Sequence, residues 1–504
     1  MTAAYWARIK PDAVAVRDRF GARTFAEVNG GANAIVRLLR AHGVGPREHI
    51  AFISSNRAEM MQVMAASHRG GYRLAPVNWH LTVEEMGYIL ADGDIAAVFV
   101  ETRFPAGLEA ARATPGLKVR IAVGGEADGF LSFDREVAAR DASDIADPVL
   151  GSVMLYTSGT TGRPKGVYRE HLTMMAPGGL LKYAPETDAQ LCAGPLYHGS
   201  ALTVETRTAM TVGVPVVYMD RWDSIEWLTK VQTHRITHTH MVPVMFQRLL
   251  AVPEEVRRSY DISSLKELFH GAAPCPPEVK RAMIDWVGPI LHEYYSGTEG
   301  GAGFMLDSHE WLRKPGSVGR RPAAPAVKVL NDDGAECAPG VPGRLYFERP
   351  PANGFTYYKD PEKTAASHIG NFFTLGDIGY FDEDDYLFLT GRSADCIISG
   401  GVNIYPQEID NEILKHPGVE DVATVGAPNQ EWGEEVRAVV VLRAGWEASD
   451  ALAAEITAQV RGALAGYKVP RGVDFVTALP RNAAGKIERG KVRAPYWAGR
   501  ARQI

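Results

Sequence analysis

The chain has 504 residues, more than one hydrophobic core usually serves, so a large unit plus at least one smaller domain is expected. Hydrophobic residues at 46% and charged residues at 23% are those of an ordinary globular protein, which excludes a disordered, collagen-like or disulfide-scaffold chain. A formal charge of −6 supplies no bulk positive field for nucleic acid or anionic lipid, so no nucleic-acid partner is expected.

Met1-Thr-Ala-Ala-Tyr-Trp-Ala-Arg8 has no basic segment leading into an apolar run, so no secretory signal is evident and a cytoplasmic location is expected. From Ala13 to about Val149, helical and strand-like patterns alternate. Phe25 to Leu39 reads as an amphipathic helix and His49-Ile-Ala-Phe-Ile53 as a buried strand; Ala96 to Val100 and Lys118 to Val123 are further strands. Strands separated by helix-length patterns argue an α/β architecture with parallel pairing. The rhythm continues through the strand Val214 to Met219 and the helix Ile225 to Gln232. The apolar stretch Thr208 to Met219 is too short to span a bilayer, so no transmembrane segment is expected; shallow contact with a membrane holding a greasy substrate stays open.

Near residue 315 the composition changes. Gly/Pro-rich turns separate short strands, Ala326 to Leu330 and Gly343 to Phe347, which suggests hairpins or a small barrel. Tyr386 to Asp395 reads as a turn before a separate small α/β unit holding a helix Glu408 to Leu414 and strands Asp421 to Val425 and Val436 to Leu442. The expected fold is therefore α/β: a large N-terminal region, 1–391, of several subdomains with parallel sheets and a small β-barrel-like part. A hinge at 392–395 and a smaller mobile α/β domain, 396–504, follow it. Cys192, Cys275, Cys337 and Cys396 lack zinc or disulfide spacing and read as buried free thiols.

Tyr156-Thr-Ser-Gly-Thr-Thr-Gly-Arg-Pro-Lys-Gly-Val167 is the sharpest signal, and it follows a strand-like Ser152-Val-Met-Leu. Gly159, Gly162 and Gly166 permit tight backbone paths. The N–H groups and hydroxyls of Thr157, Ser158, Thr160 and Thr161 suit phosphate oxygens, with Lys165 as counter-charge. The order is neither the Walker pattern nor the kinase glycine loop, because Gly166 follows Lys165 and Lys165 stands three residues after Gly162.

This dodecapeptide resembles the signature of the adenylate-forming superfamily, which contains acyl- and aryl-CoA ligases, peptide-synthetase adenylation domains and beetle luciferases. Further motifs occur in family order over nearly all of the chain. The resemblance implies a large N-terminal domain, a mobile C-terminal domain, chemistry in the cleft between them, and formation of an acyl-adenylate, then usually a thioester. ATP, Mg²⁺ and coenzyme A are the cofactors it implies.

By the same resemblance, Tyr294-Tyr-Ser-Gly-Thr-Glu-Gly300 supplies Glu299 as the Mg²⁺ ligand, Thr298 as a phosphate contact and Tyr295 beside adenine, with Ser296 replacing the family's usual glycine. Gly271-Ala272-Ala273-Pro274 resembles the segment packed along adenine and the acyl pocket. Asp377, in Thr374-Leu-Gly-Asp-Ile-Gly379, can accept from both ribose hydroxyls, and Arg392 assists the nucleotide; Leu375 stands where threonine is commoner. Lys486, in Leu479-Pro-Arg-Asn-Ala-Ala-Gly-Lys-Ile-Glu-Arg489, resembles the catalytic lysine, and Gly400-Gly401 the loop that approaches the thiol channel. Ala394 occupies the usual hinge position, normally Asp or Lys, with Asp395 next.

His198, in Pro195-Leu-Tyr-His-Gly199, resembles the element that orients or gates the acyl group. The acyl pocket is expected to draw on His198, His240-Met-Val-Pro243, Gly271, Tyr295 and residues near Gly303, none of which requests a charged amino acid. The expected activity is an AMP-forming acyl-CoA ligase acting on a hydrophobic carboxylic acid, similar to bacterial fatty-acyl-CoA ligases in Ile397-Ile-Ser-Gly-Gly401 and Tyr467-Lys-Val-Pro470. Two alternatives stand beside it: an aryl- or other acid-adenylating enzyme that loads a carrier-protein thiol, and a non-catalytic nucleotide-binding scaffold. The partners are a small carboxylic acid, ATP and CoA; a homodimer is left open.

Overall fold

Thr24 opens the first long helix, Phe25–Ala41, through a capping box: its hydroxyl accepts from the Glu27 N–H at 3.2 Å, and the Glu27 carboxylate accepts from the Thr24 N–H at 2.7 Å. Ten residues further along, its buried face (Ile35, Val36, Leu38 and Leu39) packs into the core shared with helix Ala58–Gly70. The computed structural model describes residues 2–157, 164–170, 181–349, 354–392, 395–399, 402–429, 432–482 and 485–498. They fall into two units, the first comprising Met1–Met241, Arg248–His270 and Pro350–Ala366, the second Val242–Gln247, Gly271–Arg349 and Ser367–Ile504.

In the first unit one sheet is wholly parallel, ordered Leu131–Ser132, Val119–Val123, Ile95–Glu101, His49–Ile53, Arg73–Val77, Ser152–Val153. His49–Ile53 and Ile95–Glu101 are buried along their whole length, which explains their unbroken apolar runs: helices cover both faces. A second set runs Glu267–His270, His238–Met241, Gln190–Cys192, Val216–Tyr218 and Val14–Asp18, all parallel, closed by antiparallel Gly21–Thr24. Its carboxyl ends deliver the loops that follow Cys192, Met241 and His270, the usual place for ligands in such sheets. Thr208 to Met219 is divided between helix Thr208–Val212 and strand Val216–Tyr218, and no described helix is long and apolar enough to cross a membrane.

In the second unit Leu291–Gly297 and Gly300–Asp307 form an antiparallel hairpin. The barrel-like part is an open antiparallel sheet, ordered Ser317–Arg320, Tyr386–Arg392, Asp377–Phe381, Gly343–Glu348, Phe372–Phe373, His368–Ile369, with Val327–Leu330 also on Gly343–Glu348. No closure between its ends is seen among the described residues, and the last strands are two residues each. Tyr386–Arg392 corrects the expected turn, because it is a strand paired on both sides with Leu387 fully buried. The turn lies just before it: Asp382 Oδ1 accepts from the Tyr386 N–H at 2.8 Å, and Asp385 takes a φ of 64°.

The terminal segment forms a sheet ordered Val402–Ile404, Ile397–Ser399, Gly433–Leu442, Val419–Asn429, with Gly472–Val476 parallel to Gly433–Leu442. Helices Pro406–Ile413 and Asp450–Ala463 bury Ile409, Ile413, Ile456 and Val460 against one face. Helix Arg489–Arg493 brings Val492 against Ala423, Val425 and Val439 on the other. All four cysteines are free; Cys192 and Cys396 are buried as expected, whereas Cys275 and Cys337 are half-buried.

Candidate active site

In the first unit the phosphate motif is held at its two ends. Leu155–Thr157 and Lys165–Tyr168 pair antiparallel, with Thr157 opposite Lys165. Ser158, Gly159, Thr160, Thr161 and Gly162 lie outside the described residues. The Lys165 ammonium stands 5.5 Å from the Tyr357 ring centroid. Tyr156 OH donates to Asp92 Oδ2 at 2.8 Å, and Asp94 receives Tyr358 OH at 2.8 Å and Lys359 Nζ at 2.7 Å. Burial, then the Asp92 carboxylate, pushes the Tyr156 phenol up, so it stays a donor. A Cβ on Gly166 would meet Tyr156 and Tyr358 at 3.2 and 3.3 Å, which is why glycine suits this close approach.

His198 follows strand Gln190–Cys192, and its carbonyl accepts from the Leu202 N–H at 3.0 Å at the start of a helical ramp. Ser200–Arg207 continues that ramp with wide π-type turns, which recur at functional positions. Burial lowers the His198 imidazole to about 4, so it is neutral at physiological pH, and its Nε2 has no hydrogen-bond partner among the described residues. Behind the ramp, fully buried Glu205 accepts from Gln190 Nε2 at 2.9 Å and lies 3.5 Å from His240 Nδ1. Burial raises the Glu205 carboxyl, with His240 acting in the opposite sense.

The second unit gathers more of the expected residues. Gly297 and Gly300 face each other across the hairpin, leaving Thr298 and Glu299 as its two-residue tip. Tyr295, three residues before the tip, donates its hydroxyl to Asp377 Oδ2 at 2.6 Å. Arg392 is the cross-strand neighbour of Asp377, and its Nε donates to Oδ1 at 3.0 Å. A carboxylate offers about four lone-pair directions, so Asp377 can still accept two further donors. Burial, then the Asp377 charge, pushes the Tyr295 phenol well up and keeps its proton in place. Burial alone would lower the Arg392 guanidinium, but Asp377, Asp395, Tyr295 and Glu299 together hold it above its ordinary value.

Lys486 joins this group from a separate hairpin. Its N–H donates to Asn482 Oδ1 and its carbonyl accepts from the Asn482 N–H, both at 2.9 Å, while Gly485 turns the chain at a φ of 78°. Arg481 ties the turn down, donating to the Gly485 carbonyl and to Asp421, each at 2.5 Å. Burial and the nearby Arg392 cation lower the Lys486 ammonium to about 8, while Asp377 and Asp395 act in the opposite direction. The bracing residues Arg481 and Asn482 and the acid Asp395 went unassigned in the sequence, although all three stand inside or beside recognised motifs.

Gly271 packs on Tyr294, where a Cβ would lie 2.6 Å from its carbonyl oxygen. Ala272 holds a φ of 65°, a left-handed conformation that costs a non-glycine residue about 1–2 kcal/mol; Ala273 follows it, half-buried. Leu375 covers the hairpin: its Cδ atoms come within 2.8 and 2.9 Å of where a Gly297 Cβ would be. The expected acyl-pocket residues divide between the units, with His198, His240 and Met241 in the first and Val242, Pro243, Gly271, Tyr295 and Gly303 in the second. Ala394, Gly400 and Gly401 lie outside the described residues.

No group of three or more His, Cys, Asp or Glu side chains that could hold a metal is found among the described residues. Mg²⁺ does not need one, since it keeps waters and takes one or two carboxylates beside substrate phosphates. Glu299, half-buried at the hairpin tip, fits that requirement.

Two family models cover most of the chain: the AMP-binding enzyme family matches residues 3–358, and its C-terminal domain matches residues 408–486. The chain belongs to the AMP-binding enzyme family. It is similar to a feruloyl-CoA synthase of an Amycolatopsis species, 34% identical over 97% of each chain, and to an indoleacetate–CoA ligase of Aromatoleum aromaticum, 30% identical over 97% of this chain and 96% of that one. The crystal structure of ATP-bound MatB from Rhodopseudomonas palustris superimposes with a TM-score of 0.83 at 27% identity, covering 98% of this chain and 99% of that one. The protein is an acid–thiol ligase of the adenylate-forming acyl/aryl-CoA synthetase class, which sets aside a non-catalytic scaffold.

Proposed function

We propose that this ligase activates an organic acid with an apolar body as its acyl-adenylate and passes the acyl group to coenzyme A, releasing AMP and pyrophosphate. The observation that carries this reading is the Tyr295–Asp377–Arg392 cluster with Lys486 in its electrostatic field. Asp377, with two acceptor directions left, takes the ribose hydroxyls. Tyr295 holds the carboxylate in place and lies beside the base. Lys486 places a cation between the acid's carboxylate and the α-phosphate, where negative charges must approach each other.

Lys165 and the motif residues Thr157 to Gly162 take the phosphates; Thr298 contacts phosphate as well. Glu299 holds Mg²⁺, which when bound neutralises phosphate charge. His198, neutral and with Nε2 unpartnered among the described residues, orients the acyl carboxylate and performs no proton transfer in this reading. The substrate oxygen attacks phosphorus directly and the CoA thiol attacks the mixed anhydride, so orientation and charge stabilisation supply the rate. The boundaries proposed are 1–391 and 396–504, with 392–395 as hinge; turning there withdraws Lys486 from Asp377 once adenylation is complete. The reading places the enzyme in the cytoplasm.

Mass spectrometry of the products formed from ATP, Mg²⁺, CoA and a mixed panel of acids tests the proposal. An acyl-CoA with stoichiometric AMP is expected. Acid-dependent pyrophosphate exchange without any CoA thioester would transfer the assignment to a carrier-protein thiol.

A further inference from the structure

Thr157 and Lys165 stand on two strands that are fastened to one turn. Asp92-Gly93-Asp94 closes helix Val83–Asp92 and leads into strand Ile95–Glu101. Asp92 Oδ2 accepts from Tyr156 OH at 2.8 Å, one residue before Thr157. Asp94 accepts from Tyr358 OH at 2.8 Å and from Lys359 Nζ at 2.7 Å. Tyr358 is itself tied to the second strand: its N–H donates to the Gly166 carbonyl at 2.8 Å, and Thr356–Tyr357 pairs antiparallel with Val167 and Tyr168. The turn therefore holds the Thr157 strand through Asp92 and the Lys165 strand through Asp94, all within the first unit.

Close packing fixes this arrangement. A Cβ on Gly93 would lie 3.0 Å from the Tyr156 hydroxyl oxygen and 2.9 Å from the Ile89 carbonyl oxygen, so a larger residue would push the phenol off the turn. His49 Nδ1 stands 2.6 Å from the Gly93 carbonyl oxygen; a carbonyl only accepts, so that nitrogen carries the proton and pins the peptide. Asp94 takes a φ of 45°, a left-handed conformation that aspartate adopts more readily than most side chains. The Tyr358 ring has the His49 and Tyr168 rings as neighbours, with centroids 5.3 and 5.4 Å away. Tyr357, the residue before it, has the Lys165 ammonium 5.5 Å from its ring centroid, within reach of a cation–π attraction.

We propose that Asp92 and Asp94 are positioning residues for the ATP phosphates: acting through Tyr156 and Tyr358, they set the spacing and direction of Thr157 and Lys165, so that hydroxyl and ammonium are preorganised before the nucleotide arrives. This rests on the ligase reading above, in which Thr157 and Lys165 take phosphates. Neither carboxylate contacts a reacting group; each acts through the phenol that it holds.

The two half-reactions test this on the full chain. Acid-dependent pyrophosphate exchange needs the triphosphate held in place, whereas transfer from supplied acyl-adenylate to CoA does not. Tyr156→Phe keeps the ring and removes only the donor to Asp92. It is expected to raise the KM for ATP and for pyrophosphate by about 10-fold, with the KM for the acid and the transfer rate unchanged. Asp94→Ala, which releases Tyr358, is expected to do the same. Asp92→Asn keeps an acceptor oxygen and should retain most of the nucleotide affinity, while Asp92→Leu should lose it and add nothing to the loss in Tyr156→Phe. Thermal unfolding identifies any variant that fails to fold; Tyr358→Phe then replaces Asp94→Ala, and Asp92→Ala replaces Asp92→Leu. An unchanged KM for ATP in either Tyr156→Phe or the Asp94 variant, or an equal loss in both half-reactions by folded variants, overturns the inference, while AMP formation by the unsubstituted chain leaves the ligase reading standing. No acid-dependent exchange by the unsubstituted chain overturns the ligase reading itself.

Discussion

Tyr295 and Asp377 are joined by a 2.6 Å hydrogen bond from the phenol to Oδ2, on strands that are 82 residues apart in the chain. The bond fixes which carboxylate lone pairs remain for a ligand, since Arg392 occupies the other oxygen at 3.0 Å.

Tyr295→Phe keeps the ring and removes that donor. A hydrogen bond to a charged acceptor contributes about 1.5–3 kcal/mol, so AMP affinity is expected to fall roughly 10- to 100-fold with little change in the maximal rate. Isothermal titration with AMP and the KM for ATP measure this; unchanged affinity would show that the phenol only packs.

Lys486→Ala is expected to slow acid-dependent pyrophosphate exchange by about 10²–10³-fold, roughly 3–4 kcal/mol, while transfer from supplied acyl-adenylate to CoA is spared. The cationic form is required, and its pKa of about 8 sets the pH limb. For exchange, kcat/KM should hold below pH 8 and fall above it, a limb that Lys486→Arg removes. Stability moves the other way. The unfolded chain binds more protons between about 8 and the ordinary 10.5, so this group adds stability as pH rises through that window. His198, at about 4, adds no limb between pH 5 and 9.

The parallel sheets were legible because strands such as His49–Ile53 are buried on both faces and therefore read as continuous apolar runs. Helix Phe25–Ala41 was legible in its amphipathic pattern, while the capping box of Thr24 and Glu27 that starts it was not read from the sequence. Tyr386–Arg392 was misread because Gly391 and Arg392 look like turn residues, whereas its strand character depends on partners 71 and 15 residues away, Ser317 opposite Phe388 and Asp377 opposite Arg392. The local motifs named Asp377 and Lys486 as candidates but could not show that burial and then Arg392 lower the Lys486 ammonium, with Asp377 and Asp395 opposing, which is a matter of three-dimensional proximity.

Leu375 stands where threonine is commoner in the family, and its methyls fill the space that a Cβ on Gly297 would need. Gly297→Ala should therefore overpack the hairpin that carries Glu299, costing about 1–3 kcal/mol and raising the Mg²⁺ needed for half-maximal exchange. Leu375→Ala in the same chain should recover most of this, giving a coupling of about 0.5–3 kcal/mol in a double-mutant cycle read by urea unfolding. Additive losses would mean that the two residues do not meet in solution.

Arg489 and Asp410 form a buried pair three residues beyond Lys486, and Arg489 also donates to the Thr424 carbonyl at 2.7 Å. Burial raises the Asp410 carboxyl, with Arg489 opposing it, so each partner is held charged chiefly by the other. Arg489→Met leaves an uncompensated carboxylate and should cost about 3–5 kcal/mol, seen as a lower urea midpoint for the transition that includes the terminal sheet. Replacing both, Arg489→Met with Asp410→Leu, removes two desolvation penalties together and should restore much of that stability. If the pair serves only the fold, exchange activity returns with stability in the double variant. If Arg489 also sets the charge on Lys486, as its repulsive contribution there suggests, the double variant folds but its pH limb moves upward from about 8, because one nearby cation has gone.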